Sequence, residues 1–75
     1  LYHEATFLQE HLGLAKKTKH STAEEAAKIA ASANVGKLIL GHYSGRYGDY
    51  DLFMKEAQAF FINTELAKDG RIFEI

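Results

Sequence analysis

Lys37-Leu38-Ile39-Leu40-Gly41-His42-Tyr43-Ser44-Gly45-Arg46-Tyr47 is the stretch that decides how this 75-residue chain is built. Its first four residues form the kind of short apolar run that makes a strand buried on both faces. The run stops at Gly41-His42, and polar residues at the C-terminal end of such a strand often face a site. From Tyr43 to Tyr50, glycines and three tyrosines replace any helical or alternating period, which predicts a loop.

Upstream of the strand, Ser21 with Glu24 three residues on reads as a capping box that satisfies two free amide donors and starts a helix. Ala23, Ala26, Ala27, Ala30 and Ala31 are strong helix formers, and Asn34 with Gly36 supplies the stop. So many alanines imply close packing against a neighbour. Further back, Leu1-Tyr2-His3 reads as the end of a buried strand, residues 3–7 as a loop, and Leu8, Leu12 and Leu14 as a possible turn of helix. Downstream, Asp49 or Asp51 caps a second helix reaching about residue 61, with Phe53, Ala57 and Phe60 facing inward. Asp69-Gly70, between Glu65-Leu66-Ala67 and Arg71-Ile72-Phe73-Glu74-Ile75, is the strongest hairpin signal. The expected class is therefore α/β, with two main helices, one short buried strand and a C-terminal hairpin.

Composition sets the outer bounds. With 47% hydrophobic and 25% charged residues and a net charge of −1, the chain reads as one small soluble unit. That charge argues against a generally basic nucleic-acid binder, so any RNA contact has to be local. No cysteine is present, which excludes disulfides and fits a reducing, cytoplasmic setting. No apolar stretch approaches membrane-spanning length. Leu1 is not an initiator methionine, and the chain reads as starting mid-fold, in a truncated segment.

Three of the four histidines, His3, His20 and His42, fall at element boundaries. Neutral imidazole is the commonest metal ligand and the usual proton-transfer group near neutral pH. Their separations fit neither the helix-borne His-x-x-x-His zinc pattern nor a finger motif, so spacing by itself favours capping roles over a metal site.

Four segments taken in order carry more weight: His3-Glu4-Ala5-Thr6-Phe7, His20-Ser21-Thr22, Gly41-His42-Tyr43-Ser44-Gly45-Arg46-Tyr47, and Asn63-Thr64 followed by Leu66-Ala67 and Asp69-Gly70. Together they resemble the ribonuclease Z family, zinc-dependent endonucleases that trim the 3′ end of precursor tRNA. The resemblance implies the C-terminal part of a four-layer αββα metallo-β-lactamase fold. Residues 1–75 would then be one segment of a single domain whose N-terminal half is absent. It implies two zinc ions in the intact active site, with His42 as the ligand from this half and none bound by the fragment alone. His20 would face the scissile phosphate and Glu4 would orient it. Ser44, Arg46, Tyr47, Ser21 and Thr22 would contact RNA or phosphate, with Tyr47 stacking on a base or packing the loop. His3 is assigned to scaffold and His11 to solvent, while Lys16, Lys17 and Lys19 form the one basic cluster.

The same resemblance implies a homodimeric, cytoplasmic parent with precursor tRNA as substrate. The His-x-His-x-Asp-His cluster, a further histidine ligand and the bridging aspartate of the family are missing here, so the fragment is expected to be inactive and to self-associate. Ile62 stands where the family carries proline. Two rivals stay open at this stage: another phosphodiesterase of the same fold, and a metal-independent RNA-binding module.

Overall fold

The structure is a computed structural model that describes residues 1–67 in full and residues 72–73 by their backbone. In chain order the elements are β1 (Tyr2–Glu4), a 3-10 turn (Gln9–His11), α1 (Leu12–Thr18), α2 (Ala23–Ala33), β2 (Leu38–Gly41), β3 (Tyr43–Ser44), α3 (Asp51–Gln58), β4 (Thr64–Leu66) and β5 (Ile72–Phe73). The α/β class expected from the sequence is the one observed. Among the described residues three α-helices form, because the Leu12–Leu14 region makes a full helix of its own.

β2 is the middle strand of a parallel sheet ordered β1-β2-β4, with Tyr2 opposite Ile39 and Ile39 opposite Glu65. Parallel neighbours require crossovers. The path from β1 to β2 runs through α1 and α2, and the path from β2 to β4 through α3. Leu38 and Leu40 are fully buried while Ile39 between them is half-buried, so β2 is covered more completely on one face than on the other. β1 is an edge strand with Leu1 and Tyr2 exposed, rather than the buried strand expected.

α2 buries Ala23, Ala26, Ala27 and Ala30, a single stripe at helical spacing. Methyl-sized side chains let α2 lie close to both α3 and the sheet, as the alanine content implies. Its capping box is one residue later than Ser21 and Glu24. The Thr22 hydroxyl accepts from the Glu25 amide at 3.1 Å, and Glu25 accepts from the Thr22 amide at 3.0 Å. Asn34 closes the helix in the left-handed conformation, as expected. In α3, Phe53 and Ala57 face the core, but Phe60 lies past the helix end, exposed, under the Lys28 ammonium. Asp49 accepts from the Asp51 amide at 3.0 Å at the start of α3.

The expected hairpin is corrected. Its Asp69-Gly70 turn lies outside the described residues, and among the described residues the strands on either side are not paired with each other. β4 adds to β2 and β5 adds to β3, both in parallel. No helix among the described residues is long and apolar enough to cross a membrane.

Candidate functional site

The site is built by two backbone junctions. At the first, the Ser44 amide donates to the Thr6 carbonyl at 2.9 Å and the Ala5 amide to the Gly41 carbonyl at 2.9 Å, fixing the loop after β1 beside the end of β2. At the second, Phe7 and Thr22 form an isolated parallel bridge, with the Ala23 amide on the Phe7 carbonyl at 3.0 Å. This seats the start of α2 against the same loop. Glu4, His20 and His42, distant in sequence, are thereby brought together.

Backbone conformation sharpens the turn at each histidine. His42, between β2 and β3, has φ 61°, and Lys19, just before His20, has φ 61°. Side chains other than glycine's rarely adopt this left-handed region, and where the surrounding fold imposes it the position is often functional.

At the centre is Thr6, fully buried. Its hydroxyl lies 2.8 Å from Glu4 Oε2, 3.2 Å from His20 Nδ1 and 2.8 Å from His42 Nδ1. Glu4 also accepts from the Thr6 amide at 3.2 Å and, through Oε1, from the Ser21 amide at 2.6 Å. The direct Glu4 to His20 separation is 3.6 Å, too long for a hydrogen bond, so the carboxylate reaches the imidazole through Thr6. The two imidazoles stack with centroids 5.1 Å apart, and His20 also meets the edge of Phe7.

Glu4, His20 and His42 can each offer one ligand atom, with all three atoms within 4.8 Å of one another. Two imidazole nitrogens and a carboxylate oxygen are a donor set that zinc accepts. With three amide or hydroxyl donors already on Glu4, an imidazole is the better ligand, and the group as it stands is too small to hold a pair of ions. The residues present fit a share of a metal site completed by other groups.

The remaining candidates are distributed less evenly. Arg46 is exposed, its guanidinium 5.6 Å from the Phe7 ring centroid, and it borders the same cluster. Ser44 is fully buried, its Oγ accepting from the Arg46 amide at 3.4 Å. Thr22 is fully buried as the cap of α2, its hydroxyl donating to Gln9 at 2.7 Å. The amides of Ser21 and Thr22, expected to face a phosphate, donate instead to Glu4 and Glu25. Tyr47 is 8% exposed and its hydroxyl accepts from the Leu8 amide at 2.9 Å and meets His11 Nδ1 at 2.6 Å, so its ring packs the loop. Burial is the main force holding its phenol above the ordinary value of 10.0. His11 is thus a partner of Tyr47 rather than a solvated side chain. His3 places Nδ1 2.7 Å from the Glu4 carbonyl. Lys16, Lys17 and Lys19 are exposed at the end of α1, next to His20 in the chain.

Thr6 is the residue that sequence reasoning missed. It lies inside a quoted motif, but a threonine in a loop carries no signal of its own, and only the folded chain shows three site residues meeting on its oxygen.

No family model matches the chain. Among curated proteins it is 52% identical over 75 residues to Ribonuclease Z of Azobacteroides pseudotrichonymphae, covering 100% of this chain and 26% of that protein. Ribonuclease Z of Bacteroides fragilis is 52% identical over 70 residues, covering 93% of this chain and 23% of that protein. Ribonuclease Z of Cytophaga hutchinsonii is 48% identical over 75 residues, covering 100% and 24%. The chain therefore spans about a quarter of the length of the curated relatives it matches.

Proposed function

We propose, from the premise that this chain belongs to ribonuclease Z as a C-terminal portion of it, that it supplies one wall of the active site of a zinc-dependent endoribonuclease removing the 3′ trailer of precursor tRNA. The observation that carries this reading is the meeting of Glu4, His20 and His42 on Thr6, at the end of the central strand. Residues 1–75 are read as one segment of a single four-layer αββα domain. The other part of that domain would cover the less buried face of β2 and bring the remaining metal ligands.

In this reading His42 contributes one zinc ligand. Zinc, when bound, lowers the pKa of water and polarises a phosphoryl oxygen. His20 faces the scissile phosphate and holds or delivers a proton at the departing ribose oxygen, which is the ordinary task of a positioned imidazole. Glu4 acts behind it, through the Thr6 hydroxyl. Arg46 offers a guanidinium fork to RNA phosphate, and the lysines ending α1 extend the positive surface on the His20 side. With the Ser21 and Thr22 amides, just ahead of α2, donating to carboxylates, phosphate recognition falls to Arg46 and His20 more than to the helix start. The parent is read as a cytoplasmic homodimer acting on precursor tRNA. The 75-residue chain alone is read as inactive, without zinc and prone to self-association.

The deciding experiment is His42→Ala in the full-length protein, with zinc content and trailer removal measured on the same preparation. Both are expected to fall together, whereas His20→Ala is expected to keep the zinc and lose turnover. Retention of full zinc content and activity by His42→Ala would remove the assignment.

A further inference from the structure

We propose that the Thr6 hydroxyl sets the tautomer of both histidines, holding His20 and His42 as Nδ1–H imidazoles with the lone pair on Nε2. A hydroxyl has one proton and two lone pairs. The Thr6 oxygen has three neighbours at hydrogen-bonding distance: Glu4 Oε2, His20 Nδ1 and His42 Nδ1. An ionised carboxylate only accepts, and Glu4 is already accepting from the Thr6 and Ser21 amides. The single hydroxyl proton therefore goes to Glu4. Both imidazole nitrogens then face lone pairs on the threonine oxygen, and each makes a bond only by donating. A lone pair on either Nδ1 would be set against one on oxygen.

Thr6 is suited to this part. It is fully buried, so bulk water does not compete for its hydroxyl. Its backbone is held at both ends, by the Ser44 amide on its carbonyl and by its own amide on Glu4. Its β-branched side chain has few rotamers to wander among. Thr6 is a positioning residue: it touches neither substrate nor metal, but decides which nitrogen of each histidine does. Nε2 is then the nitrogen that His42 turns to zinc and the one on which His20 takes up the proton it passes to the ribose oxygen, its Nδ1–H staying on Thr6 before and after. Metal ligands are usually oriented by such an outer partner, and here one oxygen serves the ligand and the proton carrier together.

The tautomer preference follows from the hydroxyl of Thr6 and the carboxylate of Glu4, while its effect on metal rests on the reading of His42 as a ligand. The test uses the full-length zinc protein with isotope-labelled histidine, the imidazole nitrogen chemical shifts being read at alkaline pH. His20 is expected to show a protonated Nδ1 and a lone-pair Nε2. Thr6→Val, which keeps the shape and removes the hydroxyl, is expected to shift His20 toward the opposite tautomer and to weaken zinc retention against a chelator by roughly 10- to 100-fold. Thr6→Ser is expected to restore both. His20 found with its proton on Nε2 in the unaltered protein overturns the proposal even if Thr6→Val does not fold, and so does a Thr6→Val protein with unchanged shifts. If the tautomer moves while zinc retention does not, the Thr6 assignment stands and the ligand role of His42 fails.

Discussion

At the scale of single residues, two of the three left-handed non-glycine positions among the described residues flank the histidine cluster, the third being the Asn34 cap of α2. His42 and Lys19 are both left-handed at φ 61°, and together they aim two loops at one oxygen. Tyr47 does the complementary work of holding the second loop down. Its hydroxyl accepts from the Leu8 amide and its ring meets Phe53 edge-on. Tyr47→Phe leaves that amide without its acceptor and is expected to cost about 1–3 kcal/mol. The raised phenol pKa adds a pH signature. A folded-state pKa above the unfolded value means the fold favours the protonated phenol, so this stabilisation is complete below pH 10.0 and is lost as pH rises through the folded value. Denaturation midpoints of the full-length protein measured on either side of pH 10.0 are expected to fall more steeply than those of Tyr47→Phe. Parallel curves would show that Tyr47 has no such linkage. That Glu4, His20 and His42 sit in distinctive motifs was readable in the sequence, but that they meet on one threonine oxygen was not. Nor was the burial of Ser44 and Thr22, because motif membership says nothing about which way a hydroxyl faces.

At the scale of elements, the sequence was most readable where a local rule met no competitor. β2 and α2 form where apolar continuity and alanine content place them, and Asn34 ends α2 as its type suggests. The capping box slipped by one residue because Ser21-Thr22-Ala23-Glu24-Glu25 contains two overlapping solutions. Tertiary contacts choose between them: Glu4 takes the Ser21 amide, and the Phe7 bridge fixes Thr22 in the extended conformation of a cap. Glu56 reads from the sequence only as one more residue at helical spacing, with no sign of its partners. From α3 it accepts the Gln9 amide at 2.9 Å and the Glu24 amide at 2.9 Å, so one carboxylate serves the first turns of two other elements. Negative charge at a helix start is favourable, and charge-assisted bonds are stronger than neutral ones. Glu56→Ala is expected to destabilise the full-length protein by about 1–3 kcal/mol, with Glu56→Gln intermediate. Chemical denaturation checks this, and an unchanged midpoint for Glu56→Ala would show that water replaces the carboxylate at no cost.

At the scale of the whole molecule, the sheet is the part with open edges among the described residues. β1 and β4 are its outer strands among the described residues, and outer strands present pairing groups to other chains. Leu1, Tyr2, Leu52, Phe60 and Ile62 are exposed, Ile62 at 78%. Ile39, Met54 and Leu66 line an open cleft of about 460 Å³ beside the sheet. A chain of this size buries a modest core, so, on the proposed reading of residues 1–75 as one segment of a larger domain, a second copy is the available cover for such surface. The 75-residue chain alone is therefore expected to associate as concentration rises, by apolar burial and strand addition rather than by charge. The exposed Lys37–Glu65 pair at 3.2 Å contributes little to this, because surface ion pairs are screened. The two drives respond oppositely to salt: sulfate strengthens apolar burial and weakens ion pairing. Light scattering coupled to size exclusion, run across a concentration series with and without sulfate, separates them. Growth in mass with concentration, enhanced by sulfate, is the expected result. A monomer at every concentration would mean that these residues close their own surface, and the need for a second half of the domain would lose its physical support.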